Sequence, residues 1–82
     1  MKILIVDDER LAIERLKRLL QELGYTDIVS AYGMDEALEV AKEAKNRFDV
    51  AFLDISMKGG GGILLGAELK RLYQGITIVY QT

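Results

Sequence analysis

Apolar and polar residues change their spacing several times along the chain, and each change predicts a new element. Residues 2–6 form a short, almost continuous apolar run, which is typical of a strand buried on both faces. From Arg10 to Leu23 the apolar residues recur at helical spacing, so a helix is predicted there. Asp8 is the predicted N-cap of this helix, and Gly24 is the predicted glycine that ends it.

The same alternation of strand and helix continues through the rest of the sequence. The order βαβαβαβ predicts an α/β fold, in which a parallel sheet carries helices on both faces. No linker, repeat or block of charge divides the chain, so a single domain over 1–82 is expected. The further predicted elements are strands at 27–31, 49–53 and 76–80, a helix from Asp35 to Arg47 with Asp35 near its cap, and a helix from Ile63 to Tyr73.

Composition excludes several kinds of chemistry and partner. The chain has no cysteine and no histidine, which excludes disulfides, thiol nucleophiles, Ser-His-Asp triads and metals held by sulfur or imidazole. Its 11 basic and 13 acidic side chains give a net charge of −2, which argues against direct nucleic-acid binding. The first apolar run is too short for a signal peptide, and no stretch approaches the ~20 apolar residues of a membrane span. We therefore expect a cytoplasmic protein with no membrane partner.

Acidic residues follow two of the predicted strands. Asp7 and Asp8 come directly after the first strand, and Asp54 comes directly after the third. If these strands are neighbours, the three carboxylates meet at one edge of the sheet, where parallel α/β sheets bind their ligands. Two carboxylates about 5 Å apart repel by roughly 3 kcal/mol at an effective dielectric of about 20, and a bound Mg²⁺ relieves that repulsion. Taken singly, Asp8 is also explained as a helix cap and Asp54 as an ordinary residue at a strand end.

The order of motifs resembles the receiver domain of bacterial two-component response regulators. The resemblance rests on MKILIVDDE, on LDISM after the third strand, and on a glycine-bearing loop, a helix and a strand that leads to Thr82. It implies a flavodoxin-like sheet with strand order 2-1-3-4-5. Relative to that family, the 82 residues contain only (βα)3β and lack the last helix, strand and helix, so an incomplete receiver domain is expected.

The resemblance also implies roles for particular residues. Asp54 would be the nucleophile that takes a phosphoryl group from a histidine kinase or a small phosphodonor. Mg²⁺ would be bound by Asp7, Asp8, Asp54 and the backbone carbonyl of Ser56. The hydroxyl of Thr82 would contact the phosphoryl group. The implied activity is that of a signalling phosphoacceptor rather than an enzyme.

The sequence departs from the family pattern beside the proposed acceptor. The lysine of the family's fifth strand has no counterpart here, and Lys58 stands where the family usually has proline. Four glycines follow at 59–62, and Gln74 and Thr77 also replace frequent prolines. Impaired phosphorylation is therefore expected. The alternative is a catalytically silent, self-associating fragment, or an engineered scaffold, derived from a receiver domain.

Self-association is a further expectation from the pattern. The apolar face of the first helix is wider than packing on the sheet alone requires. The strand at 76–80 would leave one edge unpaired, and such edges pair with other chains. A homo-oligomer formed through the fourth strand and the surface of the first helix is thus predicted.

Overall fold

A computed structural model describes residues 1–43, 47–57 and 61–81 of the chain. Strands and helices alternate in the predicted order, and most boundaries differ from the predicted ones by a single residue. The elements are β1 (Ile3–Val6), α1 (Arg10–Glu22), β2 (Ile28–Ala31), α2 (Met34–Ala41), β3 (Val50–Asp54), α3 (Gly62–Leu72) and β4 (Thr77–Gln81).

The four strands form one parallel sheet in the order β2-β1-β3-β4. Ile3 of β1 lies opposite Ile28 of β2 and Val50 of β3, so these three parallel strands begin at the same level in the sheet. The predicted α/β fold is confirmed, and the order agrees with the one that the resemblance implies. Because β1 and β3 are adjacent in the middle of the sheet, the residues that follow them are neighbours.

The core lies on both faces of the sheet because side chains of a strand alternate between the faces. All four residues of β1 are buried, as the uninterrupted apolar run predicts. Ile3 and Ile5 pack against Ile13 and Leu20 of α1 on one face. On the other face, α2 and α3 pack over the sheet in a larger cluster that includes Leu4, Val6, Ala37, Leu65 and Leu69.

The two ends of α1 are stabilised differently from each other. At its carboxyl end, Gly24 has a φ of 98° and donates to the carbonyl of Gln21, while the N–H of Tyr25 donates to the carbonyl of Leu20. These two bonds form a Schellman motif, and the predicted ending at Gly24 is confirmed. The prediction of Asp8 as N-cap is wrong. Glu9 is the N-cap and makes no side-chain capping bond.

Helix α2 is shorter than predicted. It begins one residue before Asp35 and ends at Ala41, so the predicted extension to Arg47 is wrong. The N–H of Glu43 donates to the carbonyl of Val40, three residues back, which is the tightened turn that often closes a helix. Phe48, which precedes β3, is buried in the core and packs edge-to-face against Tyr73.

The helices are short. Across residues 1–43, 47–57 and 61–81, none has the length and apolar character needed to cross a membrane.

We expect Gly24→Ala to lower the free energy of unfolding by about 1–2 kcal/mol, because a side chain in the left-handed region meets its own backbone. Nothing else lies within 4 Å of the position that a Cβ would occupy there, so the loss is conformational. Gly75→Ala is the matched control, since its Cβ also has open space and its φ is not in that region. Urea unfolding followed by circular dichroism measures both, and equal effects would contradict the assignment.

Candidate functional site

Three carboxylates meet where the central strands end. Asp7 follows β1 directly, Asp8 comes next, and Asp54 is the last residue of β3. Because β1 and β3 are parallel neighbours, their carboxyl ends lie side by side. Each of the three acids offers a carboxylate oxygen, and these oxygens all lie within 4.8 Å of one another. The structure therefore brings together the acids that the sequence predicts to meet.

Local hydrogen bonds orient the two buried members of this group. Asp7 is 8% exposed and Asp54 is 7% exposed, whereas Asp8 lies at the surface. Oδ1 of Asp7 accepts the backbone N–H of Glu9 at 2.9 Å. Oδ1 of Asp54 accepts two bonds from Ser56, one from its N–H at 2.9 Å and one from its Oγ at 2.8 Å. These contacts fix the carboxylates before any ligand arrives.

The electrostatics of the group disfavour three negative charges. Burial raises the pKa of Asp7 above its ordinary value of 3.8, and the nearby carboxylates of Asp54 and Asp8 raise it further. The N–H of Glu9 opposes that shift by stabilising the charged form. A proton or a cation relieves the repulsion. A donor set made only of oxygen suits a hard divalent cation such as Mg²⁺, so the residues present fit that ion.

Ser56 has contacts that the spacing of residues does not show. It was predicted to act through its backbone carbonyl, but the observed contacts to Asp54 come from its N–H and its hydroxyl. A hydroxyl residue two positions after a strand-end aspartate is a sequence signal for a turn in which the aspartate carboxylate accepts hydrogen bonds from that residue. Thr82 and Lys58 lie outside the described residues.

The site opens into a cavity of about 360 Å³. Two of its lining residues, Glu9 and Ala12, were not predicted to belong to the site. They line the cavity because α1 begins beside it, with Glu9 as N-cap and Ala12 in the first turn. Gln81 also lines it, and its backbone carbonyl accepts the N–H of Ile55 at 2.9 Å, which ties the turn after Asp54 to β4. The lining residues are Asp7, Glu9, Ala12, Asp54, Ser56 and Gln81.

A larger cavity, of about 500 Å³, lies beside the carboxyl ends of α2 and α3. Lys42, Glu43 and Arg47 give its wall charges of both signs, and no acidic group like that of Asp7 and Asp54 is found there among the described residues. Size alone therefore does not identify the functional site. The smaller cavity is the one in which the carboxylates of Asp7 and Asp54 come together.

Comparison with known proteins gives consistent results. The family model for the response regulator receiver domain matches residues 3–82. The transcriptional regulatory protein LytR of Staphylococcus aureus (strain N315) is 37% identical over 83 aligned residues, which are 100% of this chain and 33% of LytR. The chain thus spans about a third of the length of the curated relatives it matches.

Solved structures agree with this result. The response regulator TrrA of Thermotoga maritima, in complex with Mg²⁺ and BeF, is 39% identical with a TM-score of 0.80, and the match covers 95% of this chain and 66% of TrrA. TrrA in complex with the histidine kinase ThkA is 38% identical with a TM-score of 0.81, over 98% of this chain and 67% of that one. The predicted resemblance is confirmed: the chain belongs to the family of response regulator receiver domains, the phosphoacceptor modules of two-component systems.

Proposed function

We propose that this domain accepts a phosphoryl group on the carboxylate of Asp54, with Mg²⁺ held by Asp7, Asp8, Asp54 and the backbone carbonyl of Ser56. The observation that carries the proposal is the group of three carboxylate oxygens within 4.8 Å of one another at the ends of the two central strands. Structural need explains a single acid at a strand end, but it does not explain three acids that repel one another.

The proposed reaction is an in-line phosphoryl transfer. An oxygen of Asp54 attacks the phosphorus and forms an acyl phosphate, while the bond from phosphorus to the donor nitrogen or oxygen breaks and the donor keeps its electron pair. Ser56 supports the attack by holding Oδ1 of Asp54 with two hydrogen bonds, which fixes the carboxylate plane. Mg²⁺, when bound, neutralises charge on the transferring group. Burial of Asp54 limits the access of water to the acceptor.

The proposed phosphodonor is a histidine kinase, as the complex between TrrA and ThkA supports. The hydroxyl of Thr82 is proposed to contact the phosphoryl group, because Thr82 directly follows Gln81, which lines the site cavity. A cytoplasmic location is part of the same proposal, since the relative LytR is named a transcriptional regulatory protein and bacterial transcription takes place in the cytoplasm.

Replacing the acceptor tests the reaction directly. We expect Asp54→Asn to reduce labelling by acetyl phosphate and Mg²⁺ by more than about 100-fold, because the amide is not a nucleophile. Labelling is measured by intact-protein mass spectrometry after timed incubation. Asp27→Asn, which changes an exposed acid just before β2, is the control and keeps the wild-type rate. Equal labelling of Asp54→Asn and wild type would reject Asp54 as the acceptor.

The charge on Asp7 should make the stability of the metal-free domain depend on pH. We expect Asp7→Asn to stabilise the metal-free domain at neutral pH by about 1 kcal/mol, since functional acids often reduce stability. Burial and the neighbouring carboxylates raise the pKa of Asp7 in the folded state. The folded state therefore binds this proton more tightly than the unfolded chain. The stability that the protonated carboxyl provides is fully present below about pH 4 and is lost as the pH rises through the folded pKa.

The difference in stability between Asp7→Asn and wild type should therefore grow from about pH 4 towards neutral. Urea unfolding in EDTA over that range measures it, and Glu22→Gln, at the far end of α1, is the control. Excess Mg²⁺ then stabilises wild type, by about 2.7 kcal/mol at a hundred times the dissociation constant, and leaves Asp7→Asn unchanged. A variant that follows the wild-type curve at every pH would contradict the assignment.

We also propose that the 82-residue chain self-associates. Self-association is the property on which the alternative function, a catalytically silent assembling fragment, depends. Within the described sheet, β4 pairs only with β3, and Tyr80 of β4 is 46% exposed. Leu19 of α1 is 59% exposed, and Leu23, which directly follows this helix, is 72% exposed. Both surfaces expose large apolar side chains, and the outer edge of β4 also has backbone groups that can pair with another strand.

We expect the chain to form dimers or larger species at high micromolar concentration, measured by sedimentation velocity. Val79→Lys in β4 should favour the monomer, because a charged edge strand disfavours pairing. Ile63→Lys, on the exposed face of α3, is the matched control and leaves the distribution unchanged. A wild-type monomer at all concentrations that still accepts phosphate would reject the assembling alternative.

A further inference from the structure

Helix α3 begins in direct contact with the backbone of the proposed acceptor. Gly62 is its first residue and is buried. A Cβ at this position would overlap the carbonyl oxygen of Asp54, and it would lie 2.7 Å from Cα of Ile55 and 3.1 Å from the carbonyl carbon of Asp54. Real Cβ atoms essentially never come this close to backbone, so no side chain fits here without a shift.

The elements on either side of this contact are both held in place. Leu65 and Leu69 anchor α3 in the core and are fully buried. On the opposite side, β3 lies between β1 and β4, and the N–H of Ile55 is bonded to β4. Strain introduced at Gly62 would therefore fall on the turn at 54–56, which carries the acceptor carboxylate and the two bonds from Ser56.

We infer that Gly62 is a positioning residue for Asp54. By lacking a Cβ, it allows α3 to rest on the Asp54 carbonyl, and this contact sets the height and direction of the carboxylate relative to Asp7. The inference rests on the proposed function, because the orientation matters only if Asp54 binds Mg²⁺ and accepts phosphate.

Another glycine of the same helix provides a matched control. A Cβ on Gly66 would also meet close atoms, but they belong to the far end of Tyr80: its hydroxyl oxygen, Cζ at 3.0 Å and Cε1 at 3.3 Å. That side chain is partly exposed and can rotate away. Gly62→Ala and Gly66→Ala add the same methyl group to α3. They differ in that only the first presses on the backbone of the acceptor.

The test is Mg²⁺ binding measured by ¹⁵N chemical shifts of the amides of Glu9 and Ser56. We expect Gly62→Ala to weaken Mg²⁺ binding about tenfold, the usual size of an effect transmitted through a neighbour of a ligand. Gly66→Ala should bind Mg²⁺ as wild type does. Ile76→Val, a mild core change just before β4, controls for lost stability and should also bind normally.

The possible results distinguish a wrong role for Gly62 from a wrong proposed function. Wild-type affinity in Gly62→Ala would overturn the inference alone, as would equal weakening in Gly66→Ala. A wild-type chain that binds no Mg²⁺ would overturn both. If Gly62→Ala does not fold, the wild-type titration decides: the amide of Gly62 should shift together with that of Ser56, while that of Gly66 does not. A stationary Gly62 amide would overturn the inference.

Discussion

Repulsion among the carboxylates of Asp7, Asp8 and Asp54 is the constraint on which the rest of the structure depends. Three oxygens within 4.8 Å of one another separate unless the backbones that carry them are fixed. Here the two buried acids extend from the central strands, which are hydrogen-bonded on both sides and covered by helices on both faces. The sheet therefore holds together charges that a flexible loop would let move apart. A domain arranged in this way is less stable without a cation than it would be with neutral residues at the same places.

Short contacts within the chain add the orientation that the sheet alone does not provide. Each buried acid has one oxygen bonded to the residue two positions later, Glu9 for Asp7 and Ser56 for Asp54. The backbone of Asp54 is in turn confined between β4 and the start of α3. Strand β4, the turn at Ser56 and helix α3 thus all contact the short segment that carries this carboxylate. This arrangement explains how a small chain keeps the proposed acceptor in one geometry beside an open cavity.

Much of the fold was predictable because its elements differ strongly in hydrophobic period. The buried run of β1, the helical spacing of α1 and the turn at Gly24 are local signals, and each is found as predicted. The end of α2 was not predictable in this way, because the apolar spacing typical of a helix continues past Ala41, where the helix ends. In the site, the acids could be found because they follow strands. The hydroxyl contact of Ser56 has a local signal, since Ser56 stands two residues after Asp54. The close approach of Gly62 has none, because it depends on the distance between two chain segments.

The unequal anchoring of the helices has a consequence for local unfolding. Among the described residues, α1 is the one helix on its face of the sheet, and it buries only Ile13 and Leu20. By contrast, α3 has four buried residues, of which Leu65 and Leu69 lie in the larger cluster. Amides of α1 therefore open to hydrogen exchange at lower free energy than those of α3. Its first turn is continuous with the bond from Glu9 to Asp7. Whatever occupies the acidic site thus also influences how often α1 detaches from the sheet.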